Sequence, residues 1–284
     1  MNKSKTEQVS PWDCIWPPEE LETGSCCPVC MSPESYSLYD GLVDDVFFVA
    51  PGRWTLKKCN RCASAYVSPR PMIENMSKAY GNYYTHKTGA VQEKIADISF
   101  LRFVRRILAN GYLNSKYGSK RKPSIQIGAW ILQVFPRLTS VLDAQYRFLP
   151  KPLCGQSLLD IGCGKDSSIV RVLRQNEYKI SEYDPYFFDD KKLLEQKYDY
   201  ITSCEVIEHF YNPKKEFKLL KSLLKDNGTL YLMTGIYRQN IDFSKWWYKN
   251  DLTHVFIYKE ETFEWIKEEF GFKNLKIKEN LIIL

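Results

Sequence analysis

The spacing of apolar positions in the second half of the chain predicts alternating strands and helices. An apolar run at 157–159 leads into the sequence DIGCG at 160–164, and a segment of helical period follows from Asp166. This order indicates a strand, a tight glycine turn and a helix. A second predicted strand at 178–183 ends in Asp184, about 20 residues after the glycines, where such folds place a ribose-binding carboxylate.

The alternation continues to the C-terminus. It predicts a strand from Tyr198 to Cys204, a helix and turn over 213–228, a strand over 229–237, a helix from Glu260 to Phe270, and short strands at 273–279 and 281–284. Only thirteen residues separate Asp184 from Tyr198, and no further strand can be assigned there. The expected fold class is α/β with a Rossmann-like sheet.

The glycine turn indicates a ligand of the nucleotide type. Gly162 and Gly164 lack Cβ atoms, so the backbone can turn sharply and approach a ligand at the N-terminus of the helix. The dinucleotide-binding pattern has a third glycine three residues after the second, but Ser167 occupies that position. The pattern therefore argues against NAD.

These blocks resemble the class I S-adenosylmethionine-dependent methyltransferases. LLDIGCG resembles their first motif, YDP (183–185) resembles the end of their second strand, and the likeness continues through YDYITSCEVIEHF, covering roughly 156–284. It implies that the glycines approach the methionine part of the cofactor and that Asp184 binds its ribose hydroxyls. The cofactor-binding set implied by the resemblance is Asp160, Gly162, Cys163, Gly164, Asp184 and Glu205. The family often has a third glycine where this chain has Asp166, and its adenine-contacting loop cannot be assigned.

Two C-x-x-C hooks near the N-terminus predict a metal site. CPVC at 27–30 and CNRC at 59–62 supply the thiols of Cys27, Cys30, Cys59 and Cys62. Four thiolates can close a tetrahedral Zn²⁺ site, which would be structural because no coordination position stays open. Residues 36–56 can form a hairpin between the hooks. The alternative is that the thiols are reduced and bind no metal.

The order CPVC, CNRC and SPRP (68–71) resembles the N-terminal region of a zinc-ribbon subgroup of these methyltransferases. Residues 65–71 read as a strand stopped by prolines. Tyr83, Tyr84 and His86 either line an acceptor pocket or pack as ordinary aromatic residues.

Charge is unevenly distributed along a chain whose net charge is +6. The segment 101–142 contains eight lysines and arginines and no acid, and 98–108 reads as a basic amphipathic helix. This predicts a helical, basic cap that favours an anionic neighbour, unless it is simply a solvated face or an interfacial membrane helix. The expected organisation is a flexible N-terminus (1–25), a zinc-ribbon-like module (26–75), the helical cap (76–152) and a methyltransferase domain (153–284).

Composition bounds the cellular setting that we expect. No run of 18 apolar residues is present, and the N-terminus lacks the apolar core of a signal peptide. Nine cysteines without a secretion signal favour metal binding or reduced thiols over disulfides. We therefore expect a cytoplasmic protein without a transmembrane segment.

A second constellation follows the strand at 198–204. If the chain turns helical there, Glu205, Glu208 and His209 share one face, and His254 adds a distal imidazole. This set resembles the magnesium-binding set of the small-RNA 2′-O-methyltransferases, although a similar block occurs in relatives that act on quinones and sugars. We predict His209 as a general base, with Glu208 orienting it or sharing a divalent metal. Residues 246–248 (WWY) are either a stacking wall for the acceptor or part of the core.

Three functions remain open on these observations. The first is S-adenosylmethionine-dependent O-methylation of a small molecule or of a sugar in a glycan, with a hydroxyl-bearing and in part anionic acceptor. The second is ribose 2′-O-methylation of RNA, although the basic segment has few interleaved aromatics. The third is a non-catalytic interaction module with a methyltransferase fold, which failure to bind the cofactor would favour.

Overall fold

A computed structural model describes residues 16–43, 52–76, 155–165, 167–175, 178–251 and 253–284. These residues form two compact units that are discontinuous along the chain. The first contains the described residues up to 76 together with Glu208–Lys214 and Gly235–Trp265. The second contains the described residues from 155 to 207 together with Lys215–Thr234 and Ile266–Leu284. The domain boundaries expected above stay predictions.

The second unit is built on a six-stranded sheet. Its strands are β6 (Leu158–Ile161), β7 (Ile180–Tyr183), β8 (Tyr198–Cys204), β9 (Leu224–Met233), β11 (Lys276–Lys278) and β12 (Leu281–Ile283). Their order is β11-β12-β9-β8-β6-β7, in which β7, β6, β8 and β9 run parallel and β12 pairs antiparallel with both β9 and β11. This is the Rossmann-like mixed sheet that the alternating pattern predicted.

Buried aliphatic residues on the central strands form the core of this sheet. Leu159, Ile201 and Leu230 are fully buried, as expected for parallel strands covered on both faces. Helix α1 (Ser168–Gln175) buries Val170 and Leu173 in a cluster that also includes Leu158 and Ile180 of the first two strands. The apolar face of α1 therefore fixes the connection between β6 and β7.

Two segments of the second unit differ in detail from the predicted elements. Between Asp184 and Tyr198 the chain forms a 3₁₀ turn, Lys191–Glu195, so β7 is the edge of the sheet among the described residues. The end of the segment predicted as a helix and turn, 213–228, lies inside β9, because Leu224 pairs with Tyr198 and Thr229 pairs with Tyr200. The four intervening residues lie opposite the single residue Asp199 and form a bulge within the strand, so they do not separate the helix from the strand.

The first unit contains a four-stranded sheet with the order β10-β4-β3-β2. β2 (Ser35–Leu42) and β3 (Trp54–Cys59) form the predicted hairpin, and β4 (Ala65–Val67) and β10 (Phe256–Ile257) complete the sheet. Short strands β1 (Leu21–Glu22) and β5 (Arg70–Pro71) pair separately. The core cluster of this unit is Trp16, Leu42, Trp54, Leu56, Ala65, Val67 and Ile257.

Two further helices complete the described fold. α2 spans Pro213–Ser222, and α3 spans Glu260–Phe270, the range that the sequence predicted. Within the described part of the chain, no helix combines the length and apolar character needed to cross a bilayer. The predicted basic cap falls almost entirely on residues 77–154, and with Tyr83, Tyr84 and His86 it lies outside the described residues.

Candidate functional site

The two glycines after β6 serve different purposes. Both have positive φ, 73° at Gly162 and 60° at Gly164, a region that disfavours residues with a Cβ. A Cβ at Gly162 would lie 2.5 Å from Cγ2 of Val206, whereas one at Gly164 would meet no atom of the described residues within 4 Å. Gly162 is therefore required for packing. Gly164 faces open space in which a ligand can approach the backbone.

Asp184 is anchored directly to this turn. Its Oδ2 accepts a hydrogen bond from the backbone N–H of Gly164 at 3.0 Å, and its Oδ1 accepts one from Tyr186 at 2.9 Å. The turn is closed from the same side, because the N–H of Gly162 donates to the carbonyl of Tyr183 at 2.8 Å. The fold thus brings together the glycine turn and Asp184, which the sequence assigned to one ligand.

Asp160 stabilises the glycine turn through the hydrogen bonds of its carboxylate. Its carboxylate accepts hydrogen bonds from Thr202 Oγ1 at 2.6 Å and Ser167 Oγ at 2.8 Å. Burial raises the pKa of Asp160 to about 6 despite these two donors. Since Ser167 Oγ also accepts from the N–H of Val170, the carboxylate ties β6 to β8 and to the start of α1.

Cys163, between the glycines, is an unreactive thiol. Burial raises its pKa to about 12, and the nearby carboxylates of Asp160 and Asp184 add to this effect. The side chain therefore stays protonated at neutral pH and acts as a small apolar group. Its backbone N–H donates to the carbonyl of Tyr183 at 3.5 Å.

The segment after β8 does not form the helix that would place Glu205 beside Glu208 and His209. Ile207–His209 is a short 3₁₀ turn, and Glu205 is exposed with a φ of 53°. The potential metal-ligating group formed by the described residues is Glu208, His209 and His254, whose ligand atoms lie within 4.8 Å of one another. Glu205 does not belong to this group of neighbouring ligand atoms, because its positive φ interrupts the helical path that would have placed it on the same face.

Backbone carbonyls fix both imidazole rings of this group. Nδ1 of His209 lies 2.9 Å from the carbonyl oxygen of Thr253, and Nδ1 of His254 lies 2.9 Å from that of Tyr248. A carbonyl only accepts, so each Nδ1 must carry the proton, and each Nε2 becomes the acceptor atom of a neutral ring. The Thr253 carbonyl thus orients His209 through Nδ1, and the predicted role of Glu208, to orient His209 or to share a divalent metal with it, stays a prediction.

Glu208 is fully buried among polar partners. Tyr248 donates its hydroxyl to Oε1 of Glu208 at 2.6 Å, and Nε2 of His254 lies 4.0 Å from the same oxygen. The Oδ2 of Asp251 lies 3.3 Å from that Nε2, while its Oδ1 accepts from the N–H and hydroxyl of Thr253. Asp251 and Thr253 were missed by sequence reasoning. The run DLTH, with an acid three residues before the histidine, was the available signal.

Burial keeps the two imidazoles neutral. It lowers the pKa of His209, and it lowers the pKa of His254 well below 6.5, where the neighbouring His209 adds to the effect. The rings meet edge to face, with centroids 4.8 Å apart. Two neutral Nε2 atoms next to a buried carboxylate form a set that can accept a proton or a divalent cation. Histidine ligands of metals characteristically donate their second N–H to a carbonyl or carboxylate, as both do here.

The four predicted cysteines form one buried cluster in the first unit. Sγ atoms of Cys27 and Cys62 lie 3.6 Å apart, and those of Cys30 and Cys59 lie 3.4 Å apart. Thiolates bound tetrahedrally to Zn²⁺ at about 2.3 Å stand about 3.8 Å from one another. The cluster therefore fits a zinc ion with small adjustments.

The two hooks share one backbone geometry. In each, the N–H of the first cysteine donates to the carbonyl five residues on, at 2.8 Å for Cys27 and 2.9 Å for Cys59. The residue after each hook, Met31 and Ala63, has a φ of 60°. Non-glycine residues adopt this conformation at some expense, and its repetition indicates that both turns are shaped to aim their thiols at one point.

Hydrogen bonds and burial shift the pKa values of the cysteine thiols in opposite directions. Ser64 Oγ lies 3.3 Å from Cys27 Sγ and 3.1 Å from Cys62 Sγ. A hydrogen bond with Cys62 lowers the pKa of Cys27 to about 5, while burial raises the pKa of Cys30 to about 12. The cluster thus mixes thiolate and thiol, and a divalent cation would displace the remaining thiol protons.

The aromatic run at 246–248 packs within the protein. Trp246 stacks between Tyr237 and Tyr248, with centroid distances of 5.8 and 5.2 Å. Tyr248 is buried, and its ring also contacts that of His254, with a centroid distance of 4.2 Å. The side chain of Trp247 lies outside the described residues. The described contacts favour the core role of this run over the stacking wall.

The sheet order and the glycine turn with its acid define a Rossmann-like α/β protein. Residues 133–277, just over half of the chain, match the family model described as a methyltransferase domain. The chain therefore belongs to this methyltransferase family. Among curated proteins no match was found.

Solved structures resemble the chain in part. A phosphoethanolamine N-methyltransferase 2 of Haemonchus contortus, in complex with phosphomonomethylethanolamine and S-adenosylhomocysteine, is 19% identical over 49% of this chain and 38% of its own, with a TM-score of 0.37. An O-methyltransferase family protein of Burkholderia thailandensis is 10% identical over 57% of this chain and 59% of its own, with a TM-score of 0.39. Human N-acetylserotonin methyltransferase in complex with SAM is 11% identical over 45% of this chain and 46% of its own, with a TM-score of 0.36. The chain thus spans less than two thirds of each of these proteins, and the family assignment rests on the family match.

Proposed function

We propose that this protein transfers a methyl group from S-adenosylmethionine to a hydroxyl of a small molecule or of a sugar in a glycan. The observation that carries the proposal is the hydrogen bond from the Gly164 N–H to Asp184 at the open glycine turn of a methyltransferase-family sheet. The turn leaves space beside a backbone that no Cβ obstructs. The acid beside it has two oxygens that can also accept from ribose hydroxyls.

In this proposal the glycine turn and Asp184 hold the cofactor. Gly162, Cys163 and Gly164 would hold the methionine part, and the hydrogen bonds of Asp160 to Thr202 and Ser167 keep that loop in shape. When bound, the cofactor supplies an electrophilic methyl group on a sulfonium sulfur. The protein then contributes mainly by holding acceptor and methyl in line and by handling the acceptor proton.

His209 is the proton acceptor that we assign. Its Nδ1–H is engaged by the Thr253 carbonyl, so Nε2 is the basic atom, and burial keeps the ring neutral. The acceptor hydroxyl gives its proton to Nε2 while the oxygen's lone pair forms the bond to the methyl carbon, and the C–S bonding pair stays on sulfur. Buried Glu208 lies near enough to stabilise the imidazolium that results.

The same residues support a second chemical role at this position. Glu208, His209 and His254 match the donor set of a divalent cation, such as magnesium or another divalent metal, and both rings have the carbonyl contact typical of metal-bound histidine. A cation held there would lower the pKa of the acceptor hydroxyl directly. Metal analysis separates the two roles, because only the second requires a cation beyond the cysteine cluster.

We also propose that Cys27, Cys30, Cys59 and Cys62 bind one structural zinc ion. The burial of the cluster and its short Sγ–Sγ distances support this assignment. With four thiolates the ion has no open position for a substrate. Its role in this proposal is to hold the hooks and the strands that follow them.

The test combines cofactor binding with transfer of a labelled methyl group. Calorimetry should detect S-adenosylmethionine binding that Asp184→Ala weakens and Asp189→Ala, in the same loop, does not. Radiolabel should then appear in the glycan or small-molecule fractions of a source-cell extract. The assay is run with and without chelator to test whether the transfer needs a divalent cation. Label confined to ribonuclease-sensitive material would favour RNA as acceptor, and absence of both binding and label would refute the proposal.

A further inference from the structure

Arg70 is an enclosed cation in the first unit. Its Nε donates to Oε1 of Glu22 at 2.7 Å, across the two-stranded pairing of β1 and β5. The guanidinium lies over the ring of Tyr211, 3.9 Å from its centroid, and 5.9 Å from the ring centroid of Phe256. The side chain retains 10% of its accessible surface, so the enclosure is nearly but not wholly complete.

One edge of this guanidinium lacks an acceptor. Nη1 of Arg70 is buried and makes no hydrogen bond with any residue that the structure describes. Buried donors without partners are rare, and a charged one is especially unfavourable, so such an atom calls for an explanation such as a bound ion or ligand. Glu22 accepts from Nε and thereby fixes the plane of the fork, so Nη1 is the donor that still needs an acceptor.

Arg70 contacts residues close in sequence to His209, the proposed base, and to His254. Tyr211 follows His209 by two residues, and Phe256 follows His254 by two. Tyr211 is itself held, because its hydroxyl donates to the carbonyl of Pro71 at 3.3 Å. The guanidinium therefore packs against the two segments that carry the proposed base and its neighbouring imidazole.

We propose that Arg70 binds an anionic group, a carboxylate or a phosphate, of the methyl acceptor. The planar guanidinium fork matches the oxygens of either group and can bind them through two parallel hydrogen bonds. Tyr211 and Phe256 restrict the fork to one plane, so little side-chain freedom is lost on binding. This inference rests on the proposed function and narrows its acceptor to molecules that combine a hydroxyl with an oxyanion.

A purely structural Arg70 would tie β1 to β5 and nothing more. Arg70→Lys and Arg70→Gln separate the two roles. Lysine keeps the charge and can still reach Glu22, but it loses the fork; glutamine loses both. A structural role predicts changes in thermal stability alone. A binding role predicts that the response to oxyanions changes as well.

The experiment measures stabilisation of the full chain by inorganic phosphate and by acetate, each at ionic strength matched with chloride. We expect phosphate, acetate or both to raise the Tm of the wild type. The apparent affinity should fall at least about tenfold in Arg70→Gln and less in Arg70→Lys. Arg238→Gln, which removes a partly exposed guanidinium paired with Glu260, is the matched control and should respond as the wild type does. The effective anion distinguishes a phosphate-bearing from a carboxylate-bearing acceptor.

Cofactor binding keeps this test independent of the proposed function. If S-adenosylmethionine binds but the oxyanion response is absent, or is equal in the wild type and both Arg70 variants, the assignment of Arg70 is overturned while the methyltransferase proposal stands. If Arg70→Gln fails to fold, the comparison of Arg70→Lys with the wild type decides, because it retains the buried charge. If the wild type does not bind S-adenosylmethionine, the proposed function itself is refuted.

Discussion

The backbone N–H of Val67 donates to the carbonyl of Val255 at 3.1 Å. Val67 ends the strand that follows the second cysteine hook, and Val255 is the residue after His254. The contact continues into the pairing of β4 with β10, in which Tyr66 opposes Phe256. The strand that follows the second cysteine hook and the strand that follows His254 therefore pair in one sheet, although 192 residues separate Cys62 from His254 in sequence.

Removing the metal from the hooks should consequently affect His254. We expect wild-type protein to contain about one zinc per chain and Cys59→Ser to lose it, because three thiolates bind much more weakly than four. The Tm and the methyl-transfer rate should fall together, since β4 and β10 lose their anchor. Zinc analysis and thermal unfolding check this. Cys26→Ser, which alters the adjacent thiol outside the cluster, should retain zinc and stability. A folded wild type that contains no zinc and has the same Tm as Cys59→Ser would contradict the assignment.

Local pattern was sufficient to predict much of the fold. β8 and α3 have the predicted bounds because each combines a strong period with a clear start and end signal. The hairpin between the hooks and the carboxylate at the end of β7 were predicted from spacing alone. These features depend on residues close together in sequence.

The candidate site was harder to predict because its contacts span long separations. Tyr248 and Glu208 lie 40 residues apart, and His209 and Thr253 lie 44 apart. Glu205 does not share a helical face with Glu208 and His209 because its φ is positive, a conformation that the residue type glutamate does not indicate. The pairing of β4 with β10 likewise has no local signal, since two-residue strands are too short to show a period.

His209→Ala should lower turnover far more than it weakens cofactor binding. A lost general base reduces the rate by about 10²- to 10⁴-fold, whereas the cofactor contacts are made by other residues. Single-turnover methyl transfer and calorimetry with S-adenosylmethionine measure the two effects. If His209 acts as base, His254→Ala should lose less activity than His209→Ala. Equal losses, together with the loss of a second metal ion in both variants, would show a shared cation instead.

The buried Asp160 should make stability depend on pH in a defined window. Its pKa is about 6 in the folded protein against an ordinary value of 3.8, so the unfolded chain releases this proton at lower pH. The contribution of the carboxyl is therefore most favourable below pH 3.8, declines as pH rises through 6, and is constant above. The full change corresponds to roughly 3 kcal/mol.

Denaturant unfolding of Asp160→Asn and wild type between pH 4 and pH 8 measures this effect. The free energy of unfolding of the wild type, relative to that of the amide variant, should fall across the lower part of this range and then level off. Asp199→Asn provides a nearly flat control over this range, because the hydrogen bond with Lys225 lowers the pKa of Asp199 below 3.8 and its stability contribution therefore changes mainly below pH 4. A wild-type minus Asp160→Asn difference that does not vary with pH would show that the carboxyl titrates normally.

The two glycines of the turn should respond differently to the same substitution. Alanine at either position must adopt a positive φ, which disfavours it by about 1 kcal/mol. At Gly162 the new methyl would also press on Val206 at 2.5 Å, and this overpacking adds about 1–3 kcal/mol. At Gly164 the methyl enters open space, so the additional loss appears only when a ligand needs that space.

Gly162→Ala should therefore lower the Tm markedly, whereas Gly164→Ala should fold nearly normally but bind S-adenosylmethionine about tenfold more weakly, which corresponds to about 1.4 kcal/mol. Thermal unfolding and calorimetry on the two variants measure both quantities. Normal cofactor affinity in Gly164→Ala would mean that the ligand approaches the turn elsewhere, because no atom of the described protein otherwise competes for the position of that methyl group.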